Sequence, residues 1–275
     1  MTTIKQTGLL AGLRSGTAVI ALTLGAGIAA ADGTPECNIG AGTNSTECGV
    51  NTTADGDFSV AVGDQATTDA TSTDGVAIGS EAATTGPSTT AIGGETVATG
   101  PGATAIGWQS AATAERAQSF GHLATAQGVR SLAIGENADA QSDLSTAIGN
   151  EAIANGTDAL AIGDTSVATG PSTTAVGGES VANGPGTTAL GWQANAAAPF
   201  SNALGHQSTA NGEQAIAIGE DSTANGIGSI AIGGNNDADG DGVPDQGQGA
   251  TTDGADAIAM GAGASATGPS TTSIG

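Results

Sequence analysis

The chain has 275 residues, among them 47 glycines, and its 27 acidic residues stand against only four Lys and Arg. The resulting net charge of −23 argues against nucleic acid, heparin-like polymers and anionic membrane surfaces as partners. With no Tyr, only two His and no visible pairing of a nucleophile with a base, the composition does not predict an enzyme.

Residues 1–31 have the features of a secretory signal peptide. Lys5 and Arg14 precede an apolar run of residues 17–30, and the segment holds no acidic residue. Ala29 and Ala31 match the small-residue pattern of a cleavage site, which predicts cleavage after Ala31. A transmembrane anchor fits less well, because the run is shorter than the ~20 residues that a spanning helix needs.

Residues 32–58 form a Gly/Thr/Asn-rich segment that holds both cysteines, Cys37 and Cys48. An even number of cysteines in an exported protein predicts a disulfide, with two free thiols as the alternative. A metal site is not favoured, since no histidine lies nearby. We expect this segment to cap or precede the repeats that follow, but its fold is not predictable from its composition.

From residue 59 to residue 275 the chain is a repeat of the phrase Ala-Ile-Gly and its variants. The glycines that close each phrase, which we call the closing glycines, recur from Gly79 onward at a constant spacing, as at Gly149 and Gly163, with one double step between Gly233 and Gly261. A second glycine often lies half a period later, and the runs between glycines have the length of short strands. The sequence therefore predicts an all-β fold: a β-solenoid of 14-residue coils, with two short strands per coil and parallel pairing between coils.

Strand alternation divides the residues of each coil between two faces. The residue directly before each closing glycine is large and apolar, as at Ile148 and Ile162, and we call this set the large apolar column. We expect it to form the core, opposite small residues of the other strand such as Ala152 and Ala154.

The residue two before each closing glycine is Ala or Ser, and we call this set the alanine column. Neither the alanine column nor the column of small residues four positions before each closing glycine contains a charge, although the chain is strongly acidic. Such a face is typical of a surface on which another backbone packs. The alternative is that turn geometry alone limits side-chain size there.

The pattern AIG-xx-A-x-A-x-G-xx-S-x-AIG resembles the YadA-like head repeats of trimeric autotransporter adhesins, over about four fifths of the chain. This resemblance implies a left-handed parallel β-roll, three chains side by side, and display on the surface of a Gram-negative bacterium. It also implies that the alanine column is the homotrimer interface. The members that we assign to that interface are Ala133, Ala147, Ala161, Ala175, Ala189, Ala203, Ala217 and Ala231. The family's basic neck, coiled coil and membrane-anchor strands are missing, and we expect the natural reading frame to continue into them.

A longer period of six coils relates Trp108 to Trp192 and His122 to His206. Duplication accounts for both pairs without any chemistry. We interpret them as surface or turn residues and not as ligands, because neither histidine has a neighbouring His, Cys or paired carboxylate in the sequence.

The double step between Gly233 and Gly261 contains an acidic loop at 234–247 that resembles the calcium loops of thrombospondin type-3 and dockerin-like repeats. Oxygens at alternate positions followed by a glycine suit a loop that wraps one Ca²⁺ ion. The predicted ligands are Asp237, Asp239, Asp241, the carbonyl of Val243, and Asp245. Gln248 stands where such loops carry a bidentate Glu, so Asp253 or Asp256 would have to replace it. A solvated acidic loop without an ion is the alternative.

Taken together, these features predict a surface adhesin head with an unidentified extracellular ligand, which could be a matrix protein, a polysaccharide, an abiotic surface or another cell. A flat-face solenoid that binds ice is the alternative. The threonine pairs that could form an ice-binding array are interrupted at Leu160 and Ile216, which favours the adhesin.

Overall fold

A computed structural model describes residues 37–275 as a roll of two parallel sheets, which run along opposite sides of the molecule. The predicted signal peptide at 1–31 lies outside the described residues. Within residues 37–275 every regular element is a β-strand, and no helix there could cross a membrane.

Each coil contributes a three-residue strand just before its closing glycine and a two-residue strand shortly after it. The first kind forms sheet A: β1 Cys37–Ile39, β2 Thr46–Cys48, β4 Val60–Val62, β6 Val76–Ile78, β8 Thr90–Ile92, β10 Thr104–Ile106, β12 Gln118–Phe120, β14 Leu132–Ile134, β16 Thr146–Ile148, β18 Leu160–Ile162, β20 Thr174–Val176, β22 Thr188–Leu190, β24 Asn202–Leu204, β26 Ile216–Ile218, β28 Ile230–Ile232, β30 Ile258–Met260 and β32 Thr272–Ile274. The second kind forms sheet B: β3 Thr53–Ala54, β5 Thr67–Thr68, β7 Ala83–Thr84, β9 Val97–Ala98, β11 Ala111–Ala112, β13 Thr125–Ala126, β15 Asp139–Ala140, β17 Ile153–Ala154, β19 Val167–Ala168, β21 Val181–Ala182, β23 Asn195–Ala196, β25 Thr209–Ala210, β27 Thr223–Ala224, β29 Thr251–Thr252 and β31 Ser265–Ala266.

Neighbouring coils pair in parallel and in register, so that equivalent residues lie directly opposite one another. Ala147 is paired with Ala161 in sheet A, and Ala154 with Ala168 in sheet B. The sequence offset between paired residues doubles where Ile230 pairs with Ile258, around the acidic loop. The predicted all-β solenoid, with two short strands per 14-residue coil, is confirmed.

The roll begins earlier than the predicted boundary at residue 59. Strand β2 already pairs in parallel with β4, and Thr46 lies opposite Val60. Strand β1 runs antiparallel to β2 and covers that end of sheet A. Part of the segment 32–58 is therefore the first coil with its cap.

Apart from Glu47 at its N-terminal end, the interior contains only small side chains, and this overturns the predicted faces of sheet A. The alanine column is fully buried, with Ala147 and Ala161 at 0% exposure, whereas the neighbouring Ile148 and Ile162 point outward. The small residues of sheet B, among them Ala154, face inward as predicted. No fully buried side chain in residues 37–275 is larger than Thr, so the gap between the sheets excludes leucine and isoleucine.

Serine and threonine in the interior satisfy the carbonyl groups of the turns. Thr89 Oγ1 donates to the carbonyl of Gly86 at 2.9 Å, and Ser222 Oγ donates to that of Gly219 at 2.8 Å. The same pattern recurs at many coils. This pattern explains why some coils have Ser or Thr where others have Ala. Ser and Thr are small enough for the interior, and in these coils their buried hydroxyl groups are hydrogen-bonded.

The closing glycines lie where successive coils approach each other most closely. A Cβ atom added to Gly149 would be 2.3 Å from the carbonyl oxygen of Gly163, and the φ of Gly149 is +138°. Both conditions exclude a side chain, which explains the strict glycine period.

Candidate functional site

The outer face of sheet A carries an unbroken row of large apolar side chains. It consists of the large apolar column, which runs from Val62 through Ile148 to Ile274. Several members are well exposed in the single chain, including Leu190 and Met260 at 45% and 44%. At about 4.8 Å per coil, the row extends over roughly 70 Å. An exposed apolar surface of this extent is typical of an interface.

The predicted trimer interface at the alanine column is wrong. All eight alanines assigned to it have 0% exposure within one chain, so they cannot contact a second one. Because side chains alternate along a strand, the outward positions on sheet A belong to the residues on either side, such as Thr146 and Ile148 around Ala147.

The second outward column of sheet A, three residues before each closing glycine, is mixed in character. It holds Thr90 and Thr104 but also Leu160, Ile216 and Gln118. These substitutions break any regular threonine array on this face.

In the structure, Cys37 and Cys48 form a disulfide between β1 and β2. Glu47 precedes Cys48 in β2, lies opposite Asn38 of β1 and points into the end of the core, with 4% exposure. Its Oε2 accepts a hydrogen bond of 3.2 Å from the N–H of Ala54, which is in the first strand of sheet B. Disulfide and carboxylate together close the N-terminal end of the roll.

The acidic loop leaves the roll after Gly233 and returns at Ala250, whose N–H donates to the Gly233 carbonyl at 3.0 Å. Asp221 on the previous coil holds the base of the loop, because its Oδ2 accepts from the Asn235 amide and from the Gly247 N–H, both at 2.8 Å. The loop is therefore an excursion from one turn that leaves the pairing of the coils on either side intact.

Three of the predicted calcium ligands converge. Carboxylate oxygens of Asp237, Asp239 and Asp241 lie within 4.8 Å of one another, and all three residues are exposed. Asp237 accepts from the N–H groups of Gly240 and Gly242 at 2.7 and 2.9 Å, which curls the loop around its carboxylate. The arrangement suits oxygen ligation of a hard cation. Calcium binding stays a prediction.

The carboxylates of Asp245, Asp253 and Asp256 are not part of this cluster. Asp245 Oδ2 accepts from the N–H of Ala238 at 2.9 Å. Asp253, a proposed substitute for the missing Glu, accepts from the Asn225 amide on the neighbouring coil at 2.7 Å. Val243 is 62% exposed, and Asp256 lies in a turn on the roll, with φ +54°.

Residues directly after successive closing glycines form a third feature, a side-chain ladder along one edge of the roll. The Trp108 and His122 rings are stacked, with centroids 4.8 Å apart and planes inclined by 18°. His122 Nδ1 lies 3.1 Å from Glu136 Oε1, one coil further on. The same geometry recurs at Trp192, His206 and Glu220, with a histidine–glutamate distance of 2.9 Å.

Sequence reasoning missed this ladder because it sought the partners of each histidine among near neighbours. Each glutamate is instead one full coil away along the chain. Applying the repeat period to the polar residues, as well as to the apolar ones, would have placed Trp108, His122 and Glu136 in one row.

Comparison with known proteins agrees with the repeat pattern. The family model described as the YadA head domain repeat (2 copies) matches residues 41–66, 70–96, 97–117, 119–138, 126–152, 140–166, 154–180, 168–194, 182–208, 201–222, 210–236, 224–242 and 247–275. Among solved structures, the collagen-binding domain of the Yersinia adhesin YadA is similar, with 25% identity, a TM-score of 0.34, and coverage of 54% of this chain and 68% of that chain. No curated protein matched the chain. Because the family model matches most of its length, the chain belongs to the YadA head-repeat family, an adhesin-type family.

Proposed function

We propose that this protein is the head of a trimeric adhesin that attaches a Gram-negative bacterium to host tissue, matrix, other cells or a surface. Family membership supports the adhesin-type role, and the predicted signal peptide supports export to the cell surface. The observation that carries the trimer is the large apolar column on the outer face of sheet A.

The physical argument for association rests on apolar area. Apart from Ile274 in the last strand, each isoleucine or leucine of the column is already more than half buried in the single chain, so covering the remainder would contribute on the order of 1 kcal/mol per residue. The column repeats at every coil, so two or three rolls could pack along their whole length. A three-fold arrangement would cover sheet A of each chain and leave sheet B and the turn edges exposed for ligands.

Paired charge substitutions test this interface. The mature chain is joined through a cleavable linker to a trimerising coiled coil, and its mass is measured by analytical ultracentrifugation after cleavage. We expect the parent to remain trimeric and Ile148→Asp/Ile162→Asp to dissociate, since both side chains lie on the outer face of sheet A.

The matched control is Ile153→Asp/Val167→Asp, which places the same charges at outward positions of sheet B. This variant should stay trimeric. If the sheet A variant also stays trimeric, or if both variants dissociate alike, sheet A is not the interface.

Attachment itself is tested by display. The head is fused to a trimeric stalk and membrane anchor on a non-adherent Gram-negative strain, and binding is scored on collagen, other matrix proteins, plastic and sister cells. The same anchor without the head is the control. Failure of the displayed head to increase attachment to any of these surfaces would contradict the proposed function.

A further inference from the structure

The ladder that contains Trp108 has an opening on one side. The His122 ring covers one face of the indole. On the other side the ladder position is Gly94, and a Cβ atom built there would lie 3.1 Å from Trp108 Cδ1. The five-membered part of the indole therefore packs over the glycine backbone, and position 94 has no side chain to cover the remainder of that ring face.

The backbone does not require glycine at this position. Gly94 lies outside the left-handed region that marks the closing glycines, so other residues could adopt its conformation. A Cβ atom at this position would crowd the indole, so close packing of Trp108 is a sufficient reason for Gly94. Trp108 retains 50% exposure.

Hydrogen-bonding groups border the exposed ring. Gln109 Nε2 donates to Glu95 Oε2 at 2.6 Å, and these residues directly follow Trp108 and Gly94 in the chain. The pair holds one carboxylate and one amide in place, and each keeps further hydrogen-bonding capacity. The indole N–H adds a donor, since within residues 37–275 it has no protein acceptor.

The stack and its Glu–Gln pair are present twice, six coils apart, with one difference: Gln193 Oε1 also accepts from Gln207 Nε2 at 2.9 Å, where the first copy has Leu123. The second copy consists of Gly178, Glu179, Trp192, Gln193, His206 and Glu220. Trp192 is 46% exposed, and a Cβ at Gly178 would lie 3.2 Å from its Cδ1. On the strand spacing, the two copies are about 29 Å apart along the same edge.

Duplication explains how the two copies arose, but the copies are better preserved than other surface positions around them, which changes our interpretation of the pairs as products of duplication only. Other surface positions in the same coils have diverged: Leu123 corresponds to Gln207, Val129 to Glu213 and Arg130 to Gln214. His122 and Glu136 lie among these changed positions, yet their counterparts His206 and Glu220 are identical.

We propose that each copy binds one sugar ring of a neutral glycan, an inference that rests on the proposed adhesin function and names its ligand class. The apolar face of a pyranose ring would stack on the open indole face, and its hydroxyls would bond to the Glu95–Gln109 pair and the indole N–H. Sugar hydroxyl groups both donate and accept hydrogen bonds, which matches the carboxylate acceptor and the amide and indole donors of the site. A cationic ligand would leave the amide and indole donors unused. The net charge of −23 disfavours an anionic polysaccharide.

His122 and Glu136 are positioning residues in this proposal. The stacked imidazole fixes the indole plane from behind, and the glutamate fixes the imidazole. Two sites on one chain would let a long glycan bind at both, so that the second contact forms at a high effective concentration.

Intrinsic fluorescence provides a direct readout, because Trp108 and Trp192 are the only tryptophans in the chain. The full mature protein is titrated with neutral hexasaccharides of glucose, mannose, galactose and N-acetylglucosamine, with polygalacturonate and polylysine as charged probes. We expect at least one neutral hexasaccharide to change the emission, and Trp108→Ala/Trp192→Ala to weaken binding in calorimetry at least about tenfold.

The matched control is Phe200→Ala, which removes an aromatic side chain of 53% exposure from another turn of the roll. It should leave glycan binding unchanged. His122→Ala/His206→Ala should weaken binding and shift the tryptophan emission of the free protein, whereas histidines without a positioning role would leave that emission unchanged.

Three results would overturn the proposal: no response to any neutral hexasaccharide at millimolar concentration, binding that survives loss of both tryptophans, or a response to polylysine alone. The last would assign the sites to cationic peptides. Attachment of displayed heads that is unchanged in the double tryptophan variant would remove the glycan sites from adhesion while leaving the proposed adhesin function intact.

Discussion

Ala147 and Ile148 are consecutive residues of one strand, yet Ala147 is fully buried and Ile148 lies on the outer face of sheet A. This inverts the usual expectation that the larger apolar side chain forms the core. The interior of each coil has room only for Ala, Ser and Thr, so the isoleucines become surface. Stability within one chain and the proposed association between chains therefore depend on neighbouring residues of the same strand.

The first prediction concerns the size limit of the interior. Ala147→Leu should destabilise the fold by about 1–3 kcal/mol or more, because the extra methylene groups have no space between the sheets. Denaturant unfolding of the mature chain measures this change. Ile153→Leu, at an outward position of sheet B, is the control and should leave stability nearly unchanged. Equal effects of the two substitutions would contradict the small-residue core.

The second prediction concerns close contact between coils. Gly149→Ala should destabilise the roll by about 2–3 kcal/mol, since its Cβ would lie 2.3 Å from the Gly163 carbonyl oxygen. Gly234→Ala is the matched control, because the nearest atom to its Cβ is at 3.6 Å and its φ is not left-handed. Thermal unfolding should show a much lower Tm for the first variant than for the second.

The sequence was sufficient to predict the coil, the strands and the parallel stacking, because a fixed period determines all three. It was not sufficient to predict which face of sheet A is buried. Alternation separates Ala147 from Ile148 but does not say which of them points inward; that depends on the distance between the sheets. The ladder of Trp108, His122 and Glu136 was missed for a related reason, since contacts across coils join residues that are distant in sequence.

The third prediction concerns the N-terminal end of the core. Glu47→Ala should remove the acceptor of the Ala54 N–H and leave that donor unpaired, at a cost of about 1–3 kcal/mol. Hydrogen exchange should show faster exchange of the Ala54 amide, with little change in distant coils. Glu47→Gln retains an acceptor oxygen and should preserve most of the protection. If the alanine variant exchanges at the parent rate, Glu47 does not cap the sheet.

The fourth prediction concerns acid. The backbone N–H of Thr43 donates to Asp57 Oδ1 at 2.7 Å and holds the pKa of this carboxyl below its usual 3.8. A carboxyl whose pKa is lower in the folded than in the unfolded chain stabilises the fold at pH values above its unfolded pKa. This stabilisation is lost as the pH falls through its folded pKa. Exchange protection of the Thr43 amide, corrected for intrinsic rates, should therefore decrease below about pH 4. In Asp57→Ala the protection should be low at every pH, whereas a pH dependence equal to that of the parent would contradict the assignment.

The last prediction concerns the acidic loop. Asp237, Asp239 and Asp241 bring their carboxylates within 4.8 Å of one another in solvent, where like charges repel unless a cation lies between them. We expect the mature chain to bind Ca²⁺ with a Kd of about 0.1–1 mM, in the range of extracellular calcium modules. Calorimetry should show heat with Ca²⁺ that the Asp239→Asn/Asp241→Asn variant loses. Asp253→Asn, which lies outside the cluster, should retain it.

Because the coils before and after this loop pair directly in both sheets, as Thr223 does with Thr251 and Ile230 with Ile258, calcium should order the loop without changing the stability of the coils. Thermal unfolding with and without Ca²⁺ should therefore give the same Tm for the roll. Protection of backbone amides from hydrogen exchange should rise only within residues 234–249. Absence of calcium-specific heat at millimolar ion, or equal heat from the Asp239→Asn/Asp241→Asn variant, would show that the loop is a solvated acidic turn.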